Sequence, residues 1–372
     1  MNIYLEPIKK AFIYFPIIAM LVTFPFLVYQ WRKHKYLNRF RAFIFYTFIL
    51  YLMCAYFLVI LPLPSTRDVK SLQRAGTELY QLAPFSFIST IIKETRVNIN
   101  EPFTYIRLFT ERAFLQVAFN AILLTPLGVY LRYYFNRSLK STICICFLTS
   151  LFFEVTQITG LYGIYNSPYR LFDVDDLILN TLGGIIGYAI TPMFRKFLPN
   201  TKELDQNVEV NGIKIGFVRR FIAFCIDYII IITISVPISI VAHEISISIA
   251  IFLYLVVGLY KSNGMTIGNH VVSIRVQGRG AKLKFSEAFL RNFLFYGIVF
   301  GFNDLMGSVT SLLKGRIEHI FLIVFMLCFN GLIAISYIAS FISKDKLLFY
   351  ERMSATRNVP YFRDNSKRTL DK

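Results

Sequence analysis

The chain has 372 residues, 55% of them hydrophobic and 38 of them Phe, with a formal net charge of +18. A soluble protein of this size has no use for so much apolar surface, and several runs approach the ~20 residues that cross a ~30 Å hydrocarbon layer. The positive balance reads as the Lys/Arg bias of cytoplasmic loops in a multi-pass membrane protein, so nucleic acid is set aside as a partner.

In chain order the apolar runs are Ala11–Gln30, Ala42–Leu61, Ala113–Leu131, Leu139–Ile158, Asp176–Phe194, Phe221–Ile240, Ile245–Tyr260, Ser286–Asp304 and His319–Ile342, with Ile245–Tyr260 the shortest. The expected fold is all-α, a polytopic integral membrane bundle of about nine transmembrane helices. The first run reads as a span, since no small-residue cleavage motif follows it. Arg32, Lys33, Lys35, Arg39 and Arg41 crowd the first loop. Basic residues then recur in alternate loops: Arg132 to Lys140, Arg195 to Arg220, Lys261 to Lys284, and the tail after Lys344. That alternation predicts an N-out, C-in topology.

Between the second and third runs, Leu79–Ile92 is apolar but broken by Pro84. Too short to span, it is expected on the outer surface or re-entering between helices. Pro199 to Gly216 is polar and carries Pro, Asn and Gly, the composition of a linker. The expected domains are therefore 1–198, a linker over 199–216, a second membrane domain over 217–360, and a basic tail over 361–372. In the loop from Tyr260 to Val276, an Asn263-Gly264 turn precedes alternating apolar residues, which predicts a short strand or hairpin at the cytoplasmic surface.

The stretch Glu154 to Gly187 holds the most unusual chemistry. Glu154, Gln157, Arg170, Asp173, Asp175, Asp176 and Asn180 sit at the ends of apolar helices, where such groups are costly. From Arg170 the spacing of three or four continues through Asp173, Asp176 and Asn180 to Gly184 and Gly187, one stripe of a helix. With Asn120 of the third run, the predicted topology places this group toward the outer side. A structural reading has Asp175 or Asp176 capping the fifth span, Arg170 pairing with Asp173, and Glu154 and Gln157 bonding across helices. A functional reading makes Asn120, Glu154, Gln157, Arg170, Asp173, Asp176 and Asn180 a polar site for a headgroup, sugar or drug. Acid–base catalysis needs a carboxylate separation that the sequence does not give, and no catalytic residue is assigned. Gly183, Gly184 and Gly187 read as a close helix-packing seam.

The second half opens on Arg220, Ala223 and Asp227 at helical spacing. Asp227 lies about two turns deeper than Arg220, some ~10 Å. A carboxylate there needs a partner, and Arg220, Arg291 and Asn292 are the candidates. The group is either a structural ion pair or part of an ion path. The five cysteines all fall in apolar runs without a CxxC pair, and His243, His270 and His319 have no ligand spacing. Neither a disulfide framework, a metal nor a cofactor is indicated.

Asn120 with LLTPLG (Leu123 to Gly128), Glu154, Gln157, Arg170, Asp173, Asp176, Asn180, Gly183 and Gly187 together resemble the VanZ-like family over roughly residues 10–195, and Ala83-Pro84-Phe85 resembles its earlier Pro-Phe element. Thr125 stands where that family usually has an apolar or aromatic residue. Residues 213–360 resemble the RDD family through Arg220, Ala223 and Asp227, the Gly264-Met265-Thr266-Ile267-Gly268 turn, the AFLRNF segment at Ala288 to Phe293, and a closing YERMSATRNV. In that closing segment Glu351 replaces the family's Asp and Ala355 its Gly. The first resemblance implies low-level teicoplanin resistance through an envelope precursor or the glycopeptide itself. The second implies a membrane domain for which transport has been proposed. The expected function is a cell-envelope protein that binds or shields an outer-surface ligand, with membrane lipids as its surroundings. The alternatives are an ion or small-solute transporter using Asp227 and Arg220, and an enzyme acting on lipid-linked precursors.

Overall fold

The structure is a computed structural model that describes residues 2–74, 76–95, 110–200, 204, 215–242, 253–343, 345 and 347–361. It is an all-α membrane protein. By length and composition, seven helices among the described residues can cross a membrane: Leu5–His34, Arg39–Ile60, Arg112–Tyr133, Leu139–Ile158, Val174–Phe194, Phe285–Leu312 and Ile317–Ile342. The expected sixth span lies within a 26-residue helix, Phe217–Ala242. Half of the expected seventh, Ile245–Tyr260, lies outside the described residues.

Contacts divide the chain into two compact units, Met1–Phe24 with Asn38–Asn207, and Pro25–Leu37 with Val208–Lys372. The expected linker falls mostly outside the described residues. The expected first domain of 1–198 differs from the first unit, because Pro25–Leu37 goes with the second. Trp31 is buried there against Ile215, Ala223, Val272 and Ile274. The buried Arg219 guanidinium donates to the carbonyls of Lys35 (2.7 Å), Val272 (2.7 Å) and Ser273 (2.8 Å), tying that stretch in place.

In the first unit, α1 is Arg39–Ile60, and the expected third span is two helices, α2 (Arg112–Leu123) and α3 (Thr125–Tyr133). Pro126 causes the break, since it has no N–H to donate and its ring crowds the carbonyl of the preceding turn. Leu124 leaves helical geometry (φ −98°, ψ 6°), and the Tyr51 hydroxyl donates to the freed Leu123 carbonyl at 2.9 Å. Helix α4 (Leu139–Ile158) and α5 (Val174–Phe194) follow, and α5 packs on α2, α3 and α4. The glycines permit this approach. A methyl at Gly183 would be driven into the Ala121 carbonyl, at Gly184 into the Cys146 sulfur and at Gly187 into the Thr125 carbonyl. Leu124, Leu127, Leu131, Cys146, Phe153 and Ala55 form the core alongside. The segment expected to be superficial or re-entrant forms a two-residue strand, Tyr80–Gln81, parallel to Phe172–Asp173, and then the nine-residue helix α6 (Ser86–Glu94).

In the second unit, α7 is Phe217–Ala242 and α8 is Ile267–Val271. The expected strand is present as Ile274–Gln277, with Ile274 and Val276 buried. It forms no local hairpin and instead pairs antiparallel with Arg357–Pro360 from the far end of the chain, Ile274 opposite Pro360. Helix α9 (Phe285–Asn292) continues through a wide π-helical stretch, Phe293–Gly301, into α10 (Phe302–Leu312), beyond the expected end at Asp304. Helix α11 (Ile317–Ile342) and the short α12 (Phe349–Met353) complete the unit.

Candidate functional site

At one end of the first unit two loops meet. Asn166 accepts from the Lys70 amide (3.1 Å) and donates to Asp68, and the Gln73 side chain donates to the Pro168 carbonyl at 2.6 Å. These contacts, with the Tyr80–Gln81 strand pair, bring the start of α5 beside the end of α1. The hydrogen bonds from Asn166 and Ser71 hold the exposed Asp68 carboxyl below its ordinary value.

The three aspartates at the start of α5 have separate tasks. Asp173 is the N-cap, its Oδ1 accepting from the Asp175 amide at 2.8 Å. Burial pushes its carboxyl up from the ordinary aspartate value. Asp175 is buried and caps a different helix: it accepts from the Phe85 amide (2.6 Å), the Ser86 hydroxyl (2.6 Å) and the Phe87 amide (2.9 Å) at the start of α6. Phe85 adopts φ 65°, which aims its amide at that carboxylate. The structural reading of the sequence gave the cap of the fifth span to Asp175 or Asp176; Asp173 holds it instead. The Asp176 carboxylate accepts from the Asn120 side chain on α2.

The other predicted members surround these. Glu154, 2% exposed, accepts from the Asp173 amide at 3.1 Å. Asn180 donates to Ser150 Oγ (2.9 Å), which donates to the Asp176 carbonyl (3.2 Å), and Asn180 Oδ1 is buried with no hydrogen-bond partner among the described residues. Gln157 lies apart and donates to the Val59 carbonyl at 2.8 Å. Arg170 is exposed, and its guanidinium donates to the Leu61 carbonyl at 2.9 Å in place of the expected pairing with Asp173. Arg170, Asp173 and Asp176 are close enough to Glu154 for their charges to reach it. Hydrogen bonds thus link Asn120, Asp176 and Asn180 through Ser150, and join Glu154 to Asp173 beside them, with Arg170 at the rim.

The second predicted group is rearranged. Asp227 was expected to pair with Arg220, Arg291 or Asn292. It instead accepts from Thr266 Oγ1 (2.6 Å), the Gly268 amide (2.7 Å) and the Tyr254 hydroxyl (3.2 Å). Gly268 is required there, because a methyl would strike the Ala223 carbonyl and the Asp227 carboxyl carbon. Asn292 donates to the Leu255 and Ala288 carbonyls (3.0 and 2.9 Å). Both arginines are taken by a carboxylate that sequence reasoning left outside the site. Glu351, wholly buried, meets Arg220 Nη1 at 2.6 Å and Arg291 Nη2 at 3.2 Å, and accepts from the Leu348 amide and the Asn358 side chain. Arg291 also donates to Thr356 Oγ1 at 2.8 Å. The signal was present in the closing YERMSATRNV, since an acidic residue on a short helix near the membrane calls for cationic partners.

Residues 48–195 match the VanZ/LLP1 family, and residues 215–349 match the RDD family, stopping two residues short of Glu351. No curated protein and no solved structure matches the chain. The chain is a cell-envelope membrane protein in which a VanZ-like segment is followed by an RDD segment.

Proposed function

We propose that the VanZ-like half displays Asp173, Asp176, Asn120 and Arg170 at the outer face of a bacterial plasma membrane. There they bind or shield an envelope ligand and lower susceptibility to glycopeptides such as teicoplanin. The observation that carries this reading is the division of labour at the start of α5. Asp175 is consumed by the fold, whereas the described residues engage one oxygen each of the half-buried Asp173 and Asp176 carboxylates. Exposed Arg170 beside them supplies a cation, so the rim offers both signs of charge to a polar ligand such as a sugar or peptide headgroup. Glu154, Gln157 and Asn180 support the site from within: Glu154 holds the Asp173 amide, Asn180 and Ser150 hold the Asp176 carbonyl, and Gln157 ties α4 to α1. The outward placement rests on the Lys/Arg alternation between loops, and the link to teicoplanin rests on the resemblance to the family.

The test is teicoplanin susceptibility of a deletion strain complemented with wild type or Asp176→Ala at matched membrane levels. Wild type is expected to restore tolerance and Asp176→Ala to fail. Equal tolerance from both would remove the site from the mechanism.

A further inference from the structure

Inside the second unit lies a cavity of about 470 Å³, within the roughly 300–1,000 Å³ of small-molecule sites. One wall is aromatic, built by Phe217, Phe221, Phe224, Phe295 and Phe341. Arg220 and Arg291 stand at its polar end. We propose that this cavity takes an anion carrying a single acyl chain, its headgroup held at Arg220 and its chain laid along the phenylalanines.

The charge balance points to an anion. Two guanidiniums share one carboxylate, Glu351, and among the described residues no second carboxylate pairs with either. The two guanidiniums and Glu351 together carry one excess positive charge in a largely buried place, where a further anion beside them is favoured. Asp227 also borders the cavity and brings a negative charge to it, but it accepts from Thr266, Gly268 and Tyr254 and, among the described residues, forms no ion pair with either guanidinium. Arg220 has an uncommitted donor as well. Its Nη atoms reach Glu351 and the Ile215 carbonyl, while Nε is buried with no hydrogen-bond partner among the described residues, on a side chain only 10% exposed. A carboxylate or phosphate oxygen answers both the charge and the donor. A wall of phenylalanines suits a hydrocarbon chain and offers nothing to a polar body.

The experiment uses the full chain purified in dodecyl maltoside, with the thermal unfolding midpoint followed against dodecanoate, dodecyl phosphate and dodecanol below their micellar concentrations. A saturable rise is expected with at least one of the two anions and none with dodecanol. Arg220→Met leaves Glu351 and Arg291 as a one-to-one pair and is expected to weaken the response about tenfold or more. If that variant does not fold, Ile338→Trp fills the cavity, keeps both guanidiniums and is expected to abolish the response. Three results would overturn the proposal: no saturable response to either anion, an equal response to dodecanol, or an undiminished response in the variant that folds.

Discussion

Asp175 and Asp176 are neighbours in sequence with opposite fates. Successive residues on a helix point about 100° apart, so Asp175 faces the start of α6 while Asp176 faces Asn120 on α2. Asp175→Ala removes three acceptor contacts and strands two buried-side amides, at a cost of about 3 kcal/mol. Hydrogen exchange should show this as faster exchange at Phe85 and Phe87, with α4 unchanged. A second residue-scale expectation concerns Ala355, which holds φ 52° where the resembling family has Gly. The left-handed region penalises any Cβ, and glycine relieves that at an entropic cost of its own. Ala355→Gly is therefore expected to stabilise the second unit by about 0.5–1 kcal/mol, read as a higher melting midpoint. A lower midpoint would contradict the reading.

At the scale of elements, helix α5 was the most legible part of the sequence. Its polar positions Asp176 and Asn180, its glycine seam and its apolar length follow from one period of about 3.6 residues, whereas Arg170 and Asp173 of the expected stripe lie before the helix, Asp173 in the strand Phe172–Asp173. Gly187→Ala drives a methyl into the Thr125 carbonyl and is expected to cost about 1–3 kcal/mol in thermal unfolding. An unchanged midpoint would mean that α3 and α5 can move apart freely. Long-range pairings were illegible for a physical reason: periodicity ranks the faces of one helix but says nothing about which distant segment meets each face. Asp227 looked destined for an arginine because Arg220 and Arg291 enter from the same side. Glu351, 131 residues after Arg220 and 60 after Arg291, takes both arginines, and Thr266, Gly268 and Tyr254 remain for Asp227. The same limit hid the tie between Asp175 and the Pro84-Phe85 turn. Both were noticed, but nothing local joins them. The break at Pro126, in contrast, was present in the sequence as a proline within an apolar run and follows from its missing N–H.

For the whole molecule, function depends on which side of the membrane the Asp173–Asp176 group faces. Within the first unit the loops carrying Asp68, Asn166 and Arg170 gather at one end, and the proposed orientation, read from the Lys/Arg distribution, puts that end outside. A site for an envelope ligand is possible only there. The direct measurement is chemical labelling of intact cells with a membrane-impermeant maleimide, using chains whose native cysteines are replaced and which carry either Arg170→Cys or Lys282→Cys, both at exposed positions. The account predicts that Arg170→Cys labels in intact cells and Lys282→Cys only after permeabilisation. Labelling of Lys282→Cys in intact cells, with Arg170→Cys protected until permeabilisation, would contradict it and remove the cluster from the outer surface.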